Sequence, residues 1–301
     1  MNKYYSNGKL LISGEYLILE GARALAMPVK YGQCLKIEES SSSKIIWQTN
    51  VKDKPWFNAE FDNRFNIIKT GNNDIAGYLS NLLKTARRLN PNFVLDFGYN
   101  ILSEINFDIN WGLGSSSTLI SNVAYWANVD PFQLFMLVAN GSGYDLACAR
   151  SDKPIIYRLD EGNADYKPVD FFPGFHQQIY FAYLGKKQNS EKSIRLFKQK
   201  AKVSGKAIKE ISEITDAFLL CESIDEFSLL IAEHEQIISD VLNEMPVKKA
   251  FFKDFDGQIK SLGAWGGDFV MIAGKMPFDK IKSYFLKKNI EVLFTFESIM
   301  L

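Results

Sequence analysis

The sequence predicts an α+β fold in two lobes. Strand-like stretches come first, helical periodicity takes over later, and the last part mixes the two. That order departs from the regular alternation of a doubly wound sheet. Hydrophobic residues make up 47% of the 301, enough to pack one large domain or two ordinary ones. No repeat, low-complexity segment or clear linker is present, and "FPGFH" at 172–176 opens the second region.

The N-terminal elements read as strands. "GKLLISGEYLILE" (8–20) suggests two short apolar strands around a Ser-Gly-Glu turn, and "YGQCLKIEE" alternates as a strand should. The serine run at 40–43 marks a hairpin, and "KIIWQTN" and "PWFNAEFD" are further strands. A helix is predicted over 74–89, with Ile75, Leu79, Leu82, Leu83 and Ala86 on one side. "FVLDFGYNILSEINFDIN" returns to strand character, and a helix follows over about 115–127. "DPFQLFMLVAN" starts a helix with Asp130 as N-cap and Pro131 in the first position. Beyond it, "KPIIYRLD" and "QIYFAYLG" read as strands and 191–244 as a long helical block. "GQIKSLGAWGGDFVMIAG", a helix near 277–287 and the strand "IEVLFTF" complete the chain.

Composition excludes several classes of function. Lys+Arg and Asp+Glu both number 35, so the net charge is 0, unlike the basic surplus of a general nucleic-acid binder. Cys34, Cys148 and Cys221 form no CxxC pair and fit apolar filler in a reducing compartment. The two histidines are not spaced as a metal pair, which argues against zinc. His234 reads as a surface or half-buried helix residue, and His176 as a loop residue leading into a strand. "MNKYYSNGKLL" lacks the apolar core of a secretory signal, and no apolar run approaches the roughly 20 residues of a membrane helix. The expected location is the cytoplasm, with neither nucleic acid nor membrane as partner.

Three stretches carry candidate chemistry. "INWGLGSSSTL" (109–119) places Gly112, Gly114, Ser115, Ser116, Ser117 and Thr118 between a strand and a helix. One reading is a tight turn with a serine N-cap. The other is a phosphate cradle. Glycines let backbone approach a ligand, the helix start favours an anion, and serine hydroxyls suit phosphate or Mg²⁺. The spacing is neither a Walker loop nor GxGxxG. In "GSGYDLACARS", Asp145 reads as a helix-start carboxylate or as a group that orients a proton beside a transferring phosphate. "GAWGGDFVMIAG" (263–274) is a glycine-rich turn into an apolar strand, either a bulge or a loop beside the phosphate site.

Taken in order with Lys9 and the N-terminal "NGKLLISGEYLILEGARAL", these motifs resemble the GHMP kinases: galactokinase, homoserine kinase, mevalonate kinase and phosphomevalonate kinase. "GLGSSS" is similar to that family's phosphate loop, "GSGYD" to its catalytic-Asp segment and "GAWGGDF" to its third motif. The likeness runs from residue 5 to about 274 and leans towards the mevalonate and phosphomevalonate branch. It implies a mixed α/β N-terminal lobe over 1–172 with a left-handed βαβ crossover, a ferredoxin-like lobe over 173–301, and ATP in the cleft between them.

The resemblance also implies roles. Gly112, Leu113, Gly114, Ser115, Ser116, Ser117 and Thr118 would hold the triphosphate, the amides of Ser115 to Thr118 included, with Ser116 touching Mg²⁺. Lys9 would act on the transferring phosphate or the acceptor, and Asp145 would orient or deprotonate the acceptor. Glu15, Tyr16, Gly143, Gly266, Gly267 and Asp268 would line the acceptor site. The implied activity is ATP-dependent phosphorylation of a small metabolite, mevalonate or phosphomevalonate first, by a monomer or homodimer; a sugar or amino-alcohol acceptor is the alternative within the family. The chain departs from the pattern at Trp111, at Trp265, and at Leu134, where mevalonate kinases place a Mg²⁺-binding Glu eleven positions before the Asp. Those departures motivate a second reading, a non-catalytic nucleotide- or metabolite-binding protein on the same fold. A serine esterase leaves the first and third motifs unexplained, and GLGSS is not a GxSxG elbow.

Overall fold

The computed structural model describes residues 1–94, 98–185, 190–200, 203–265 and 267–301. By contact the chain forms two compact units. The first comprises Met1–Gly8, Tyr31–Ile109 and Leu113–Arg150; the second comprises Lys9–Lys30, Asn110–Gly112 and Ser151–Leu301. The units interleave along the chain, whereas the expected division at 172/173 is one of chain order.

The strands β1 (Asn2–Leu11) and β2 (Ala24–Ser40) contribute residues to both units. The first unit then builds β3 (Ile45–Val51), β4 (Lys54–Phe61), β5 (Ile67–Thr70), α1 (Asn73–Leu89) and β6 (Gly98–Ile105). It closes with α2 (Ser115–Ala127), α3 (Pro131–Val138) and α4 (Tyr144–Ala149). Alternation sets the faces: in β3, Ile45, Trp47 and Thr49 are buried while Ile46 and Gln48 are not. Leu79, Leu82, Leu83 and Ala86 of α1 join Trp47, Phe61 and Ile101 in one core with Ile120 and Val123 of α2. Asn72 caps α1 by accepting from the Asp74 and Ile75 amides, and Asp130 caps α3 by accepting from Gln133 N–H at 2.7 Å.

The second unit holds β7 (Ile155–Asp160), β8 (Asn163–Pro168), β9 (Ile179–Tyr183), α5 (Ser190–Lys200), α6 (Gly205–Leu220) and α7 (Ile224–Leu242). After these come α8 (Val247–Phe251), β10 (Gln258–Leu262), β11 (Phe269–Ala273), α9 (Phe278–Leu286), β12 (Leu293–Thr295) and α10 (Phe296–Ile299). The larger sheet, of eight strands, runs β5-β4-β3-β6-β2-β7-β8, with β1 also paired to β2. It is mixed, because β3 and β6 pair in parallel while the other registered pairs are antiparallel. The smaller sheet runs β10-β11-β9-β12, all antiparallel, which is the ferredoxin-like order. Tyr180, Val270 and Ile272 of that sheet pack on Val247, Phe252, Ile281 and Phe285.

Several local expectations change. "LILE" is a single 3-10 turn, Leu17–Glu20, not a strand; Leu17 and Ile18 are buried, and Gly21 ends the turn in the left-handed region. The serine run joins β2 to β3, but these strands do not pair. β6 lies between them, and Gly98 passes so close to the Ser42 and Lys44 carbonyls that a Cβ would collide with both. The helical block breaks at Ser204 and Ser223, whose hydroxyls cap α6 and α7 by accepting from Ala207 and Glu226 N–H. The last strand is only three residues long because Thr295 caps α10, and residues 95–97 of the "FVLDFGYN" stretch lie outside the described residues. No helix among the described residues is long and apolar enough to cross a membrane.

Candidate active site

The glycine-serine loop belongs to the first unit from Leu113 onward. Leu113 is fully buried and pins the loop. Gly114 has φ 92°, a left-handed conformation that glycine adopts freely, and it stands as N-cap of α2 with no side chain capping the helix. Its carbonyl accepts from Thr118 N–H and Ser117 Oγ, both at 2.9 Å. Thr118 Oγ1 donates to Gln33 Oε1 at 2.7 Å. Ser117 and Thr118 therefore brace the loop from inside, and the Thr118 amide, expected to face a ligand, is committed to Gly114. The first-turn amides of Ser115, Ser116 and Ser117 have no partner within the helix, as at any helix start, and they carry its positive end. Ser116 is exposed, with Oγ 2.9 Å from the Tyr78 hydroxyl.

A cavity of about 370 Å³ opens beside this helix start. Trp56, Phe57, Ile75, Tyr78 and Ile109 wall it, and Ser115 and Ser116 border it. An apolar, aromatic-walled space of that size next to free amides suits a flat ring joined to an anionic tail. Asp145 lies in the first turn of α4, which packs on α2. Gly143, at φ 83°, turns the chain into that helix, and Asp145 Oδ1 accepts from Leu146 N–H at 3.1 Å. Leu134, where the resemblance expects an acid, is a fully buried core residue of α3.

The second unit gathers other predicted residues. Lys9 Nζ donates to the Gly112 carbonyl at 3.0 Å. Gly112, at φ 66°, lies so close to Asp268 that a Cβ would meet the carboxylate carbon at 2.7 Å. The left-handed φ and the nearby carboxylate both favour glycine there, and Gly112 lies next to Lys9 Nζ and Asp268. Trp111 packs edge-on against Phe294 and Phe269, with ring centroids 5.3 and 6.3 Å away. Trp265 N–H donates to the Tyr16 hydroxyl at 2.9 Å, tying the third motif to the first. Gly267 is buried next to Asp268, and Gly266 lies outside the described residues.

Glu15 is only 1% exposed and is spoken for. Its carboxylate contacts Lys260 Nζ, and the other oxygen is 3.2 Å from His234 Nε2. Burial alone raises the Glu15 carboxyl; the Lys260 charge and His234 outweigh it and hold it below the usual range. His234 Nε2 lies 3.2 Å from Gly14 N–H as well as from Glu15 Oε2. Burial and the Lys260 charge push His234 down to about 4. Glu235, next to it, is 3% exposed; burial raises it to about 8, against the opposing pull of Lys260. His234 is thus a core residue, not a surface one. The spacing Ile224, Phe227, Ile231, His234, Ile238 on α7 was the signal, since it puts His234 on the buried stripe. No pattern in the sequence marked Lys260 or Glu235.

This cluster gives a pH dependence of defined sign. Glu235 titrates near 4.5 when unfolded and near 8 when folded, so its contribution is full below about 4.5 and is lost as pH rises through about 8. His234 has the opposite sign, since its folded value of about 4 lies below its ordinary 6.5, and its contribution disappears as pH falls through about 4. Urea unfolding of wild type and Glu235→Gln across pH isolates the first effect. The wild type is expected to lose stability relative to the variant between about pH 4.5 and pH 8; parallel curves contradict the assignment.

No sequence-family model matches the chain, and no curated protein matches it at a significant level. Solved structures do. The chain has the two-lobed fold of the GHMP kinases, a large mixed sheet and a separate small antiparallel one. It is similar to Methanococcus jannaschii mevalonate kinase, with TM-score 0.73, 17% identity and 97% and 96% of the two chains covered. It is similar to Streptococcus pneumoniae phosphomevalonate kinase, solved with phosphomevalonate and AMPPNP, with TM-score 0.72, 17% identity and coverage of 98% and 99%. Lactococcus lactis galactokinase, solved with galactose, matches at TM-score 0.67 and 11% identity over 99% and 93%.

Proposed function

We propose that the chain is an ATP-dependent small-molecule kinase of the GHMP type. The observation that supports this most is the start of α2: three amides without helix partners, set by Gly114, bordering a cavity walled by Trp56, Phe57 and Tyr78. The amides of Ser115, Ser116 and Ser117 would bind phosphate oxygens, and the aromatic walls would take the base. Gly112, Leu113 and Thr118 shape the loop.

Phosphoryl transfer asks the protein mainly for positioning and charge stabilisation. Asp145 orients the acceptor hydroxyl and takes its proton as the oxygen attacks. Lys9 holds negative charge on the transferring oxygens, and Asp268 keeps Gly112 in place under it. Glu15 serves as scaffold, because its carboxylate is buried on Lys260. Tyr16, Gly143 and Gly267 remain the residues that the resemblance assigns to the acceptor. Among the described residues no group of three His, Cys, Asp or Glu side chains is placed to hold a metal. Ser116 Oγ, exposed at the helix start, fits a single ligand to Mg²⁺ arriving with the nucleotide, whose other ligands would be phosphate oxygens and water. Such an ion would neutralise charge on the phosphates.

Mevalonate and phosphomevalonate head the acceptor candidates, followed by a sugar or an amino-alcohol. The buried Leu134 favours a second reading, a metabolite- or nucleotide-binding protein without turnover. Lys9 and Asp145 weigh against it, since binding alone requires neither.

MgATP is expected to stabilise the fold, by about 2.7 kcal/mol at roughly a hundred times its dissociation constant. Thermal unfolding and calorimetry measure this. An unchanged melting temperature at millimolar MgATP, with no heat of binding, contradicts the nucleotide-loop reading.

A further inference from the structure

The second unit contains a larger cleft that phosphoryl transfer does not use. It has a volume of about 670 Å³ and lies among α7, α8, the chain between them and β10. Lys248, Lys249 and Lys253 line it, and Ala232, Met245, Pro246 and Ile259 give it apolar walls. Among the described residues none of these lysines is in an ion pair. Lys248 Nζ donates to the Gly257 carbonyl, and Lys249 Nζ donates to Gln236 Oε1 at 3.0 Å. Like charges gathered within six residues repel one another unless an anion neutralises them.

One acid lines the cleft, Glu235, and it is 3% exposed. Its Oε1 accepts from Ser261 N–H at 3.2 Å. Its Oε2 is buried without a hydrogen-bond partner among the described residues. Burial raises its carboxyl to about 8, which favours the neutral form, so it adds little negative charge to the cleft.

We propose that this cleft binds a small organic phosphate, its phosphate on Lys248, Lys249 and Lys253 and its carbon skeleton on Met245, Pro246 and Ile259. Lysine ammonium groups bind phosphate through charge-assisted hydrogen bonds. The apolar walls distinguish an organic phosphate from the inorganic ion. The site stands independently of the kinase reading, because none of its residues belongs to the nucleotide loop.

Calorimetry on the full chain tests it, with butyl phosphate and inorganic phosphate as probes, each with and without millimolar MgATP. Butyl phosphate is expected to bind once per chain, more tightly than inorganic phosphate, with MgATP making no difference. The double variant Lys249→Ala, Lys253→Ala, whose exposed side chains are not needed for folding, is expected to lose at least about tenfold in affinity. Absence of binding at millimolar butyl phosphate overturns the proposal. So does affinity unchanged in the lysine variant, and so does competition by MgATP, which places the probe on the glycine-serine loop.

Discussion

Asp145→Asn is expected to leave ATP affinity unchanged and to lower turnover by about 10²-fold or more, the usual contribution of a general base. The substitution keeps the shape of the side chain. It can also keep the hydrogen bond from Leu146 N–H, so helix α4 has no reason to unwind. What disappears is the negative charge and the ability to take a proton from the acceptor hydroxyl. A carboxylate serving only the dipole of a six-residue helix contributes a few tenths to about 1 kcal/mol, and its loss touches stability rather than rate. Steady-state kinetics beside thermal unfolding separates the two. Full turnover in the variant removes Asp145 from the catalytic role.

Gly114→Val is expected to abolish nucleotide binding while leaving a folded chain. Gly114 sits at φ 92°, a conformation that β-branched residues avoid, at a cost of about 1–3 kcal/mol if the loop is held in place. If the loop instead relaxes, the three free amides no longer point in the same direction. Either way the added side chain stands where the phosphates would approach. The core of the first unit, built on Trp47, Phe61, Leu82 and Ile120, is untouched, so cooperative unfolding should persist at a lower temperature. Calorimetry with MgATP on the folded variant is the measurement. Normal affinity would make the loop a structural turn.

The parts of this molecule that local chemistry determines were legible in the sequence. The helix starts at Asp130-Pro131 and after Gly114 are capping and backbone effects confined to a few residues, and the structure has them in place. The apolar side of α1 follows from a 3.6-residue period alone. The non-pairing of β2 and β3 was not legible, since it depends on β6, which comes nearly fifty residues after β3 and inserts between them. Nor was the engagement of Glu15. Its partner Lys260 is 245 positions away on a strand buried on both faces, where a lysine has no local reason to be. Lys9 and Asp268 were each marked by their motifs, but Gly112 as the residue that joins them emerges only from the close approach of backbone and carboxylate. Long-range pairing of charges leaves no period in the sequence, and that is why the helix start after Gly114 could be read ahead and the buried cluster could not.

Phosphoryl transfer is tested most directly by incubating the chain with γ-labelled MgATP and, separately, mevalonate, phosphomevalonate, homoserine and a set of sugars, following label in the acceptor. The kinase reading predicts label in one acceptor class, mevalonate or phosphomevalonate first, and none with the Asp145→Asn chain over the same interval. Tight MgATP binding with no label in any acceptor contradicts it and leaves a binding protein on a kinase fold.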